Sequence, residues 1–269
     1  MASFNHDGVT LAFDDIQPPG PAERTIVLVH GFASNRHEGW RRTGWYGAFG
    51  RRGVRCVALD LRGHGESQKP HDPALYGQGA LAGDVMGLID HLGLGRVDLF
   101  GFSMGARVAL AAASAAPERF SNLILGGVGE RLLDDDAPPT GAADAMAQAM
   151  LAEDPAQIED LLLRSFRHFA EEQGEDRAAL AAASRARNRS VSPKALGAVS
   201  MPVLVVAGQQ DDLAGDPEAL ARAFPEAYGV SIPGCDHFAL VTHALAKAAV
   251  FDFLDGMMDP DMPRGFGGR

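Results

Sequence analysis

Gly101-Phe102-Ser103-Met104-Gly105 stands between an apolar run that reads as a strand, Val97-Asp98-Leu99-Phe100, and an Ala-rich run that reads as a helix, Ala106 to Ala116. A serine hydroxyl is a weak nucleophile unless it is lifted out of the packed layers and set beside a base. A sharp strand-to-helix turn does this by pushing the backbone at Ser103 toward positive φ and presenting its side chain above the sheet edge. Strand and helix nearly touch across such a turn, which accounts for the glycines two positions either side. The helix that follows aims free N–H groups and the positive end of its dipole at any oxyanion formed on Ser103. Alone, the five-residue pattern is weak; its neighbours give it weight.

Those neighbours alternate between strand and helix. Thr25 to Val29 is apolar on both faces, as buried parallel strands are, and Val54 to Leu59 reads as a second buried strand. Gly77 to Leu92 has helical spacing, with Leu81, Val85, Leu88, Ile89 and Leu92 on one face. A further strand is expected at Asn122 to Leu125. The N-terminal Phe4, Val9, Leu11 and Phe13 flank His6-Asp7-Gly8, which reads as a hairpin turn. From about Glu130 to Ser200 the character changes: the run Asp134-Asp135-Asp136-Ala137-Pro138-Pro139 breaks regular structure, and after it the strands stop. Helices are expected at Ala142 to Ala152 and Ile158 to Ala170, the second with an apolar stripe of Ile158, Leu161, Leu162, Phe166 and Phe169. The alternation resumes at Pro202 to Ala207, with a helix near Pro217 to Phe224, a strand Tyr228 to Ile232 and a helix from about Leu240 to Leu254. The Gly-rich tail 263–269 is expected to be disordered. The pattern predicts an α/β protein: a mostly parallel central sheet with helices on both faces, residues 1–129 and 201–269, interrupted by a helical cap insertion over 130–200.

Composition narrows the function. At 269 residues, with 46% hydrophobic and 22% charged, the chain has the make-up of a soluble globular protein. A net charge of −11 argues against nucleic acid as partner. The first residues have no basic-then-apolar leader, and no apolar run reaches membrane-spanning length, so a cytoplasmic protein is expected. Cys56 and Cys235 show neither a disulfide framework nor zinc spacing and read as free thiols. The Gly-rich turns lack a phosphate-loop Lys-Ser/Thr and no dinucleotide fingerprint opens a helix, so no cofactor is expected.

Read in order, His30-Gly31-Phe32, Asp60-Leu61-Arg62-Gly63-His64-Gly65, the Ser103 turn, Gly208-Gln209-Gln210-Asp211 and Gly234-Cys235-Asp236-His237 resemble the α/β-hydrolase fold superfamily over residues 25 to 255. The 130–200 stretch sits where that family carries its variable cap. Ser103 would be the nucleophile; relatives such as haloalkane dehalogenases and epoxide hydrolases carry an aspartate there. His237, in a loop beyond the last strand, would be the general base, because imidazole changes charge near working pH. His30 is expected to hold its loop, and His64 to be structural. His6, His71, His91, His168 and His243 have no catalytic context. The resemblance places the orienting acid at Asp211, with Asp212 one residue off, Asp216 as a helix cap, Asp60 shaping its own turn, and Glu130 and Asp134 as outside candidates. It also implies an oxyanion hole from the backbone N–H groups of Phe32 and Met104.

In the cap, the stripe of Ile158, Leu161, Leu162, Phe166 and Phe169, with Met146 and Met150 nearby, is a candidate to roof an apolar acyl or alcohol pocket or to pack the cap onto itself. Arg185, Arg187 and Arg189 read as a solvated basic segment. The expected activity is cofactor-independent cleavage of small carboxylic esters through an acyl-Ser103. Carbon–carbon bond hydrolysis, lactone or thioester cleavage and a small-molecule receptor are the alternatives. A homo-oligomer is compatible with all of them.

Overall fold

A computed structural model describes residues 2–133, 142–186 and 192–258. Asp134, Arg187, Arg189 and the 263–269 tail therefore lie outside the described residues. Among these, eight strands form one sheet in the order β1-β2-β4-β3-β5-β6-β7-β8. They are β1 (Ala2–His6), β2 (Val9–Ile16), β3 (Arg24–Val29), β4 (Val54–Leu59), β5 (Val97–Phe102), β6 (Phe120–Gly126), β7 (Val203–Gly208) and β8 (Ala227–Ile232). The β1–β2 hairpin is antiparallel and β2 joins β4 antiparallel, while every pairing from β4 through β8 is parallel.

The helices are α1 (Trp45–Gly50), α2 (Gln78–His91), α3 (Met104–Ala115), α4 (Ala142–Leu151), α5 (Leu161–Glu172), α6 (Arg177–Arg185), α7 (Pro193–Gly197), α8 (Pro217–Ala221) and α9 (Ala244–Leu254). Alternation along β3 assigns the two faces. Val27 and Val29 pack with Leu81 and Val85 of α2, Ala109 of α3 and Leu220 of α8. Ile26 and Leu28 pack with Trp45 and Phe49 of α1 and Val250 and Phe251 of α9. Both sheet faces are thus buried, which is why Ile26–Val29, Cys56–Leu59 and Val203–Ala207 read as unbroken apolar runs. No helix among the described residues is long and apolar enough to cross a membrane.

The helical segment between β6 and β7 departs from expectation in three ways. Ile158 is not in a helix, because the Asp160 carboxylate accepts the N–H of Leu162 and Leu163 at 2.8 and 3.0 Å and starts α5 there. The supposed stripe does not face one way: Leu161 is 73% exposed, whereas Phe166 and Arg167 are buried. Arg167 turns inward because its guanidinium donates to the carbonyls of Met150 (3.2 Å) and Ala152 (3.0 Å), end-of-helix acceptors that α4 itself leaves unpaired. Finally, α6 is an Ala-rich helix whose buried face is almost all alanine, with Leu180 its one large apolar residue; Asp176 caps it through the N–H of Ala178 and Ala179. Arg185 at its end pairs with Asp144 across exposed surface, 3.1 Å.

Candidate active site

All the sequence-derived site residues lie at the C-terminal ends of parallel strands, where open α/β sheets bind ligands. Ser103 follows β5 with φ 55° and ψ −114°, a backbone that a residue with a side chain rarely adopts. Its own N–H donates to Gly126 O at 2.7 Å, anchoring the turn to β6. The two flanking glycines have different neighbours. A Cβ on Gly101 would lie 2.2 Å from Gly105 O, so strand and helix do touch there. A Cβ on Gly105 would lie 2.1 Å from Val29 O and 2.5 Å from His30 O, so its constraint comes from the end of β3.

Gly208 joins the other two loops. A Cβ there would meet Cys235 O at 2.1 Å, and Gln210 N–H donates to the same oxygen at 2.9 Å. This close approach brings the loop after β7 against the loop after β8. His237 Nδ1 then lies 2.8 Å from Asp211 Oδ2, and His237 Nε2 lies 2.9 Å from Ser103 Oγ. Asp211 Oδ1 accepts the N–H of Leu213 (3.1 Å) and Ala214 (3.0 Å), which fixes the carboxylate. An ionised carboxylate only accepts, so Nδ1 carries the proton and Nε2 is left to accept from the serine hydroxyl. Gly127 leaves room for the imidazole; a Cβ there would be 3.3 Å from His237 Cε1 and 2.9 Å from the Phe102 ring.

The rival acids are placed elsewhere. Asp212 is exposed. Asp216 caps α8 by accepting Glu218 N–H at 2.8 Å. Glu130 lies against Gly215. Asp60 accepts the backbone N–H of Glu66 (2.8 Å), as a turn-shaping residue should, but it also takes Arg36 N–H (2.7 Å) and the Arg36 guanidinium.

His30 is fully buried at the edge of the cavity, with Nδ1 2.8 Å from Gly31 O and Nε2 accepting Leu61 N–H at 3.1 Å. His64 lies against it, ring centroids 5.2 Å apart, with Nδ1 3.0 Å from Arg62 O. Burial pushes the His30 imidazole down to about 4. Burial, and then the neighbouring His30, pushes His64 down to about 3. The unfolded chain therefore takes up these protons first as pH falls. Their stabilisation is complete above about pH 6.5 and is lost as pH drops from there toward 4, about 2 kcal/mol per imidazole between pH 7 and 5. Buried Asp60 and Asp98, whose carboxyls are raised by burial, work in the opposite sense. The expected result is thus differential: His64→Asn, which keeps a donor toward Arg62 O, flattens the fall in urea midpoint between pH 7 and 5. An unchanged pH slope would show that His64 charges as readily in the folded protein as in the unfolded chain.

Phe32 N–H and Met104 N–H find no acceptor among the described residues. Met104 opens α3, where N–H groups lack intrahelical partners. Gly31 packs on the elbow, a Cβ there falling 3.4 Å from Ser103 Cβ. Above Ser103 and His237 lies a cavity of about 540 Å³ whose apolar wall is Phe32, Trp40, Phe102, Phe166, Phe169 and Phe238. The Phe32 side chain is therefore part of the cavity. Met146 and Met150 are not; Met150 is buried among Ala33, Phe166 and Leu180 inside the helical segment. His168, without context in the sequence, also lines the cavity. Trp40 and Phe238 are additions that only the fold reveals, since no local pattern marks them. Among the described residues no group of three or more His, Cys, Asp or Glu is placed to hold a metal ion.

A family model described as the alpha/beta hydrolase fold matches residues 24–195. The chain belongs to the α/β-hydrolase family. Within that family it is 34% identical over 230 residues to the dihydrolipoyllysine-residue acetyltransferase component of the acetoin cleaving system of Pseudomonas putida, covering 81% of this chain and 60% of that one. It is also 36% identical over 114 residues to an epoxide hydrolase of Caballeronia sordidicola, 42% of this chain and 32% of the relative. The chain thus spans less than two thirds of the length of these curated relatives. Among solved structures, a thermophilic esterase from Thermogutta terrifontis shares 27% identity at a TM-score of 0.67, covering 96% of this chain and 97% of the esterase. A hydrolase from Pseudomonas aeruginosa, 24% identical, superposes with a TM-score of 0.76 over 94% and 97% of the two chains and shares the α/β-hydrolase fold.

Proposed function

We propose that this α/β-hydrolase is a cofactor-independent serine esterase that cleaves small carboxylic esters through an acyl-Ser103 intermediate. The observation that carries the reading is the hydrogen-bonded line Asp211–His237–Ser103, with separations of 2.8 and 2.9 Å, ending on a serine with φ 55° at a helix start. Ser103 Oγ attacks the acyl carbon and passes its proton to His237 Nε2. The carbonyl electron pair moves onto oxygen, which accepts from Phe32 and Met104 N–H. Collapse expels the alcohol, which leaves with the proton held on His237. Water then gives a proton to His237 Nε2 and attacks the acyl carbon; the acid departs as Ser103 regains its proton. Asp211 holds the imidazole tautomer and balances its transient charge.

Serine chemistry also weighs against epoxide opening, despite relatives of that name. A serine alkylated by an epoxide would be an ether, which a histidine-activated water does not cleave, whereas an acyl-serine is an ester and turns over. The esterase from Thermogutta terrifontis lends further support. A cavity of about 540 Å³ with an aromatic wall suits an apolar acyl or alcohol group of drug-fragment size. Lactone and thioester cleavage would run through the same steps.

The test is hydrolysis of a para-nitrophenyl ester series from short to long acyl chains, with Asp211→Asn and Asp212→Asn alongside. Turnover is expected for the wild type. Asp211→Asn should lose about 10⁴-fold in kcat, because an amide no longer holds Nδ1 protonated. Exposed Asp212→Asn should stay within about twofold. No turnover on any ester from a folded wild type would sink the esterase reading; equal losses in the two variants would sink the assignment of Asp211.

A further inference from the structure

The helical segment does more than cover the cavity: it grips the loop that carries one of the two free N–H groups. Ala33, next to Phe32, is fully buried and holds φ 59°, a conformation that strains a residue with a Cβ by about 1 kcal/mol. Such strain persists only where the surroundings enforce it. Here the surroundings belong to the segment between β6 and β7: Ala33 packs with Ala147 and Met150 of α4, Phe166 and Ala170 of α5, and Leu180 of α6. The Phe32 ring meets Phe166 edge-on at 6.0 Å.

A second grip is polar. Glu175, in the turn between α5 and α6, is buried, and its carboxylate is filled from two elements of the sheet domain. Asn35 Nδ2 donates to it at 2.9 Å, and Gly65 N–H donates at 2.8 and 3.1 Å to its two oxygens. Asn35 in turn accepts, through Oδ1, the N–H of His37 (3.1 Å) and Glu38 (3.0 Å), opening the short helical turn His37–Arg41 that carries Trp40. The Asn35 amide is thus oriented at both ends, three residues from Phe32. Glu175 belongs to neither the hydrogen-bonded line nor the cavity wall.

We propose that Glu175 is a positioning residue for the oxyanion loop: from the helical segment it holds Asn35, and with the packing on Ala33 keeps the Phe32 N–H turned toward the acyl oxygen. Catalytic competence then requires the helices to be seated, so a substrate that lifts them also loosens half of the oxyanion hole. The catalytic consequence rests on the esterase reading; the hold on the loop does not.

Glu175→Gln in the full chain tests both. Glutamine keeps size but replaces one acceptor oxygen by a donor, which must face either Gly65 N–H or the Asn35 amide. Hydrogen–deuterium exchange of peptides spanning residues 31–38 should rise in the variant, with peptides over β5 and α3 unchanged. In turnover, kcat on para-nitrophenyl acetate should fall about tenfold or more with KM within about threefold. The thionoacetate should fall much less, since sulfur is a poor acceptor and draws little from the hole. A merely structural role would lower both substrates together. Unchanged exchange over 31–38, or equal kcat losses on the oxo and thiono esters, would overturn the proposal. Absence of ester turnover in the wild type would instead strike the esterase reading and leave the exchange result to decide the loop.

Discussion

Ser103→Ala is expected to lower kcat on the best para-nitrophenyl ester by about 10⁴ to 10⁶-fold, with KM and the thermal midpoint nearly unchanged. The oxygen removed is the one 2.9 Å from His237 Nε2, and without it no acyl bond to the chain can form. Folding should survive because alanine keeps the Cβ that already tolerates φ 55°, and the turn is pinned by Ser103 N–H to Gly126 O at 2.7 Å, a backbone contact. A residual rate above water is expected from the free Phe32 and Met104 N–H groups and from binding in the aromatic cavity. Mass spectrometry of the wild type quenched during turnover should find the acyl group on the peptide containing Ser103. Activity within tenfold of wild type in the alanine variant would remove Ser103 from the mechanism.

Gly105→Ala should leave little folded protein, against the local expectation. Gly105 is in α3, where alanine is normally favoured over glycine by about 1 kcal/mol. The new methyl, however, would lie 2.1 Å from Val29 O and 2.5 Å from His30 O, both backbone atoms at the end of a central strand. Neither can swing aside as a flexible side chain would, so α3 must lift off the sheet. Overpacking of this kind costs several kcal/mol, enough to outweigh the helix gain. The control is Gly79→Ala in α2, where nothing lies within 4 Å and only the helix preference should register, raising the midpoint slightly. Soluble expression and thermal midpoints of the two variants decide the matter; a stable Gly105→Ala protein would mean that β3 and α3 are not in this contact.

Much of the architecture was legible because burial on both faces leaves a simple mark. Ile26–Val29, Cys56–Leu59 and Pro202–Ala207 are unbroken apolar runs, as strands covered on both faces of a parallel sheet require. The elbow was legible for a related reason: a positive-φ serine between two close approaches needs glycine on both sides. The 142–186 region was read less well. There, amphipathic spacing suggests one stripe of Ile158, Leu161, Leu162, Phe166 and Phe169. Phe166 and Phe169 do line the cavity, but Leu161 faces solvent, because the orientation of α5 follows Arg167 and its carbonyl partners at the end of α4. The Ala-rich α6 carries one large apolar residue, Leu180, so no stripe of large apolar side chains marks it, and its Asp176 cap is the clearer local signal.

By itself, then, the sequence determined which segments are strands, that Ser103 stands on a strained strand-to-helix turn, and that Asp211 and His237 follow later strands. These depend on local conformational preference and on burial, which residue types record directly. Only the tertiary structure decided that Asp211 rather than Asp212 meets His237, that Gly105 is held by β3, and that Glu175 ties the helices to the Phe32 loop. Each is a contact between segments whose distance in space the sheet order sets. Chain periodicity carries no term for a neighbour 26 or 110 residues away.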